Sequence, residues 1–139
     1  MRAVADVNVL VSAVLSAQGP SAEILRASRD GELELIVADK LITELARTLA
    51  YPKIRKRIPQ QRADAYVQWI GEHANLVEDP TDLPAIQSRD PDDDYLLALA
   101  IHTRAYLVTG DQDLLVLGDA LPILTPAQFD AKLRDNDPN

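Results

Sequence analysis

Cysteine is absent from all 139 residues, which excludes disulfides, thiolate metal sites and cysteine nucleophiles and removes any need for an oxidising compartment. Aromatic residues make up only 4% of the chain, too few for a platform on which nucleic-acid bases could stack. The two histidines, His73 and His102, read as members of polar helix faces, so no paired-imidazole zinc site is expected. No apolar run approaches membrane-spanning length. No secretory leader is recognisable, because Met1-Arg2 runs directly into a strand-like segment that reaches Asp6. The expectation is a soluble, cytoplasmic protein with no membrane partner. Repeats and low-complexity tracts are also missing, so a single domain over residues 1–134 is expected, with a disordered tail over 135–139.

What is present suits a real hydrophobic core: 47% of the residues are hydrophobic. The formal net charge of -8 argues against non-specific attachment to nucleic acid. The charge is uneven, however. Acids crowd residues 78–94 and the tail, while bases gather at Lys53-Ile54-Arg55-Lys56-Arg57, with Arg47 and Arg62 nearby.

Periodicity predicts strands at Arg2–Val7, Leu33–Val37, Asn75–Glu78, Ala105–Val108 and Pro122–Leu124, separated by helical segments. Ser21 and Asp39 are the expected caps of two of these helices, and Thr125, followed by Pro126, caps the last. The runs at Leu33–Val37 and Ala105–Val108 are continuously apolar, as in a parallel sheet covered on both faces. Such alternation predicts a three-layer α/β/α sandwich with a mainly parallel central sheet.

Acids stand where such a fold places its sites. Asp6 ends the first strand, and Asp111 follows the fourth in the run Leu107-Val108-Thr109-Gly110-Asp111, with Asp113 beyond. Asp90-Pro91-Asp92-Asp93-Asp94 opens an apolar helix that Asp90 or Asp92 can cap. Glu44 lies on the flank of the Leu41–Leu45–Leu49 stripe, roughly 60° beyond Leu41 at about 100° per residue, where it can reach into a cleft. Gathered carboxylates repel and raise one another's pKa. A divalent cation relieves that cost, and oxygen ligands without cysteine or paired histidine select Mg²⁺ or Mn²⁺. Taken singly, these residues read as helix caps, turn formers and solvated side chains; their joint placement carries the functional reading.

The chain at this point resembles the PIN-domain family, and within it the VapC-type toxin ribonucleases of type II toxin–antitoxin pairs. The likeness rests on the strand ending in Asp6 with Asn8 two residues on, on Glu44 in LITELARTL, on Asp93 opening a helix with Leu96, Ala98 and Ala100, and on LVTGD with Thr109 and Asp111. The acidic run is longer than the family pattern needs, and neighbours on a helix start point about 100° apart, so Asp92, Asp93 and Asp94 cannot all face one ion. Asp93 is the choice by spacing; Asp92 is then expected to cap the helix, and Asp94 to face solvent or a second ion.

The resemblance implies a metal-dependent endoribonuclease. Asp6, Glu44, Asp93 and Asp111 would be catalytic and hold one or two Mg²⁺ or Mn²⁺ ions, with Asp94 and Asp113 as further candidates. Asn8 and Thr109 would orient ligands or a phosphate from behind, and an activated water would attack the scissile phosphate of RNA. Lys53, Arg55, Lys56 and Arg57 would supply phosphate contacts. A basic antitoxin would cover the helices near residues 40–75 and insert an arginine among the acids, and a homodimer or larger assembly is expected. A catalytically degenerate PIN fold used only for binding is the second reading. An Asp-dependent phosphatase of the haloacid dehalogenase type would need a second Asp where Asn8 stands, and a receiver-like switch would need a lysine that the Thr109 strand lacks.

Overall fold

Five short strands carry the fold: β1 (Arg2–Ala5), β2 (Glu34–Val37), β3 (Asn75–Leu76), β4 (Tyr106–Val108) and β5 (Ile123–Leu124). In the computed structural model, which describes residues 1–82, 84 and 86–135, they form one parallel sheet in the order β3-β2-β1-β4-β5. Ala3, Val4 and Ala5 at its centre are fully buried, which is why the run carries no polar alternation. Ala3 pairs with Leu35 on one side and Tyr106 on the other, and the Asp6 amide extends the β4 ladder by donating to the Val108 carbonyl at 2.9 Å.

Helices α1 (Val7–Leu15), α2 (Pro20–Arg29), α3 (Asp39–Leu49), α4 (Pro52–Arg55) and α5 (Gln60–His73) lie in the connections that carry the chain from β1 through β2 to β3. α1 packs against α2 and α3, and α3 against α5. The Tyr66 hydroxyl fastens α5 to α1 by donating to the Leu10 carbonyl at 2.7 Å. The chain then returns past β1 through a 3₁₀ turn (Pro91–Asp93) and α6 (Asp94–Thr103), which packs on β1 and β4. Because parallel crossovers are right-handed, this reversal puts α6 on the other face of the sheet. A short α7 (Gln112–Leu115) precedes β5, and α8 (Pro126–Asp135) packs against α2. The architecture is the expected three-layer α/β/α arrangement, with every strand pair parallel.

The strand order reverses between β1 and β4. Such a switch point opens a crevice at the carboxyl ends of the two strands, because the chains leaving them go to opposite faces. Asp6 and Thr109 are the first residues beyond those two strands.

Two expected caps differ, and a third is decided between its two candidates. α2 starts one residue before Ser21, with Pro20 at its first position and Gly19 at φ 117° before it, a conformation open to glycine. α3 begins at Asp39 itself, so that acid complements the helix dipole from the first turn while Ala38 holds the cap position. Asp90, rather than Asp92, caps the acidic turn, its Oδ1 accepting from the Asp92 amide at 3.0 Å. The last helix follows expectation: Thr125 and Gln128 bond reciprocally, at 3.1 and 2.9 Å. Of the expected tail, Asp135 ends α8, and residues 136–139 lie outside the described residues.

Candidate active site

Asp6 leaves β1 into the N-terminus of α1 and is 7% exposed. Thr109, fully buried, donates its hydroxyl to Asp6 Oδ2 at 2.7 Å, and the same hydroxyl oxygen accepts from the Asp111 amide at 3.0 Å. This chain of two bonds ties the ends of β1 and β4 together and fixes the Asp6 carboxylate. Asp111 in turn accepts from the Asp113 amide at 2.9 Å, which caps α7. Burial pushes the Asp6 pKa up; the Thr109 hydroxyl and the amide of Asn8 pull it down, and the Asp111 charge raises it. Asn8 therefore acts on Asp6 through its backbone, while its side chain is exposed at the cleft mouth.

Asp93 comes from the opposite layer, at the junction between the 3₁₀ turn and α6. Its Oδ2 is buried and has no hydrogen-bond partner. Burial first, then the nearby Asp111 carboxylate, which favours the protonated form, and the charges of Asp6 and Asp90, push its pKa up to about 7. Asp6, Asp93 and Asp111 thus repel one another at one end of the sheet. Glu44 lines the same cleft from α3, and its carboxylate is in contact with the Arg47 guanidinium one turn on.

The cleft has a volume of about 560 Å³. Asp6, Asn8, Glu44, Asp92 and Asp93 line it, together with residues the sequence did not single out: Lys40, Thr48, Tyr51 and Tyr95. Lys40 Nζ lies 4.7 Å from the centre of the Tyr95 ring. Burial, followed by the charges of Asp6, Glu44, Asp93 and Asp79, raises the Tyr95 pKa. Helical spacing could have found two of the cations, since Lys40 and Arg47 lie four residues before and three after Glu44, on its side of α3.

Other expected site residues are placed elsewhere. Asp94 does not face solvent or the cleft: it is buried, and its Oδ1 accepts from the Ser88 amide at 2.7 Å, which anchors the linker before the acidic turn. Neither Asp111, which acts on the site through its charge beside Asp6 and Asp93, nor Asp113 on α7 lines the cleft. The basic cluster also lies outside it. Arg55 is half-buried, and Arg57 turns to the Leu15 carbonyl at the end of α1, at 3.4 Å, leaving Lys53 and Lys56 exposed.

A hard divalent cation fits the donors in kind. They are all carboxylate oxygens, one of them is buried without a partner, and the acids need a positive charge to stand ionised together. Among the described residues, however, no three acids stand close enough to enclose an ion. Glu44 is held by Arg47 instead.

The family description that matches the sequence is "PIN domain", over residues 2–113, and the chain belongs to that family. An uncharacterized protein, MJ1680, of Methanocaldococcus jannaschii is 24% identical over 93% of this chain and 89% of its own length. Among solved structures, PAE2754 from Pyrobaculum aerophilum superimposes with a TM-score of 0.66 at 16% identity, covering 98% of this chain and 91% of its own. VapBC2 from Rickettsia felis, crystallised bound to a DNA fragment from their promoter, gives a TM-score of 0.60 at 14% identity, covering 89% of this chain and 97% of its own. Both likenesses carry the fold. The family match, in turn, bears out the PIN resemblance read from the sequence.

Proposed function

We propose that this chain is a Mg²⁺- or Mn²⁺-dependent endoribonuclease and the toxin of a toxin–antitoxin pair. The observation that carries the reading is Asp93. A carboxylate with a buried, unpartnered oxygen beside Asp111 and Asp6 is unfavourable without a cation, and it sits at the crevice where α/β folds bind ligands. Asp6, Asp93 and Asp111 would draw together to hold the ion, with Glu44 completing the set once it leaves Arg47. The ion supplies charge neutralisation at the phosphate and an activated water. Thr109 keeps the Asp6 carboxylate in one rotamer, so that its other oxygen stays available. Tyr95 and Leu96 line the same cleft and give it an apolar part.

A cleft with acids at its base suits a single strand better than a duplex, because a lone strand can bring one phosphate in without seating a second backbone beside it. The same acids suit an arginine from a basic antitoxin, which would close the site by a bidentate pair. A dimer of this chain is part of the proposal. Among the described residues, no helix is long and apolar enough to cross a membrane; the cytoplasm remains the expected compartment.

One observation favours the degenerate binding module instead: Glu44 is already paired with Arg47. Cleavage of single-stranded RNA separates the two readings. The nuclease reading expects cleavage with Mn²⁺, loss in EDTA, recovery on adding Mn²⁺ back, and no cleavage by Asp6→Asn. Cleavage that survives chelation, or persists in Asp6→Asn, contradicts it.

A further inference from the structure

On the nuclease reading, we propose that Arg47 is an RNA-phosphate contact that alternates with Glu44: it holds Glu44 while the cleft lacks an ion and turns to the substrate once Glu44 has moved to the metal. The chain has a net charge of -8, so a polyanion needs cations at the cleft itself. The sequence cluster at 53–57 does not provide them, since none of its residues lines the cleft. Lys40 and Arg47 do, both from α3.

Lys40 is already engaged with the Tyr95 ring, and its backbone amide is held by Asp79. Arg47 is the freer of the two. Its side chain is 60% exposed, and among the described residues its one ion-pair partner is Glu44, through a single guanidinium nitrogen. A guanidinium has five N–H donors in a planar fork that matches phosphate, so most of its capacity is unspent. Glu44 is 30% exposed and close enough to the rim for the pair to part without opening the core. An exposed pair of this kind contributes little, which makes the exchange inexpensive. Tyr51, 53% exposed at the same rim, gives an adjoining nucleotide a ring face. Acids at the base and a guanidinium at the edge would place one phosphate between them.

The test compares the wild type with Arg47→Gln in two titrations. The first is Mn²⁺ binding without RNA, followed by electron paramagnetic resonance. The second is anisotropy of a short, labelled single-stranded RNA with Ca²⁺ as the non-catalytic ion. Releasing Glu44 should tighten Mn²⁺ binding about two- to fivefold. Losing the phosphate contact should weaken RNA binding about tenfold and lower the salt slope by about 0.7. A variant that equals the wild type in both titrations overturns the proposal and leaves the nuclease reading standing. Tighter Mn²⁺ binding with unchanged RNA affinity removes the phosphate contact, and weaker RNA binding with unchanged Mn²⁺ affinity removes the alternation; either overturns it. A wild-type chain that binds neither Mn²⁺ nor RNA overturns the nuclease reading and this inference with it.

Discussion

Replacing Asp93 by Asn should stabilise the metal-free protein, and the gain should depend on pH in a defined direction. The folded-state pKa is raised from 3.8 to about 7 by burial and by the facing acids. Between those values the native chain holds a proton that the unfolded chain has lost, so this group's contribution is most favourable below about pH 4 and is lost as pH rises through about 7. At about 1.36 kcal/mol per pH unit, the gap from 3.8 to about 7 would be about 4 kcal/mol for an insulated group. Asp93 is only half-buried, and water and salt screen the repulsion, which brings the working figure to about 1–2 kcal/mol. Asn keeps the size, does not ionise, and can donate to Asp111. In EDTA at pH 8, Asp93→Asn should therefore melt about 4–8 °C above the wild type, a difference that shrinks towards zero at pH 4. Circular dichroism melts across that range measure it. Equal melting temperatures at pH 8, or a difference independent of pH, would refute the electrostatic account of the site.

Thr109→Val keeps the shape but removes the hydroxyl that joins Asp6 to the Asp111 amide, and should cost about 1–3 kcal/mol in a denaturant titration while weakening Mn²⁺ binding. Asp94→Ala should loosen the linker at Ser88 and lower stability by about 1–3 kcal/mol without altering Mn²⁺ affinity; an equal loss of ion binding would return Asp94 to the ligand set. Arg104, at φ 56° and ψ 44° where α6 ends, is in the left-handed region, so Arg104→Gly should raise stability by about 0.5–1 kcal/mol, read as a higher denaturation midpoint.

The strands were legible because buried parallel strands are continuous apolar runs, and Leu107-Val108 cannot face water on either side of β4. Asp6, Thr109 and Asp111 were legible for the same reason: a polar residue directly after such a run stands at a strand end. Asp94 was misplaced because its partner, the Ser88 amide, lies in an irregular linker whose path has no period to read. The basic run misled because its charges look equivalent in sequence, yet the turn after α3 directs Arg57 to the end of α1 and half-buries Arg55. Arg47 neighbours that cluster in sequence, but its three-residue spacing from Glu44 puts it at the cleft. Ser21 and Asp39 are displaced as caps by two residues and by one, the scale at which Gly19-Pro20 and Ala38 decide where a helix starts.

Equilibrium binding of Mn²⁺ to the purified chain tests the central claim most directly. Asp93 must lose its proton before an ion can enter, and with its pKa raised to about 7 the apparent affinity should be highest at pH 8 and fall up to about tenfold per pH unit below pH 7. The account predicts saturable binding with that pH dependence, abolished or strongly weakened in Asp93→Asn. Absence of binding at pH 8, or binding that Asp93→Asn leaves unchanged, would contradict it.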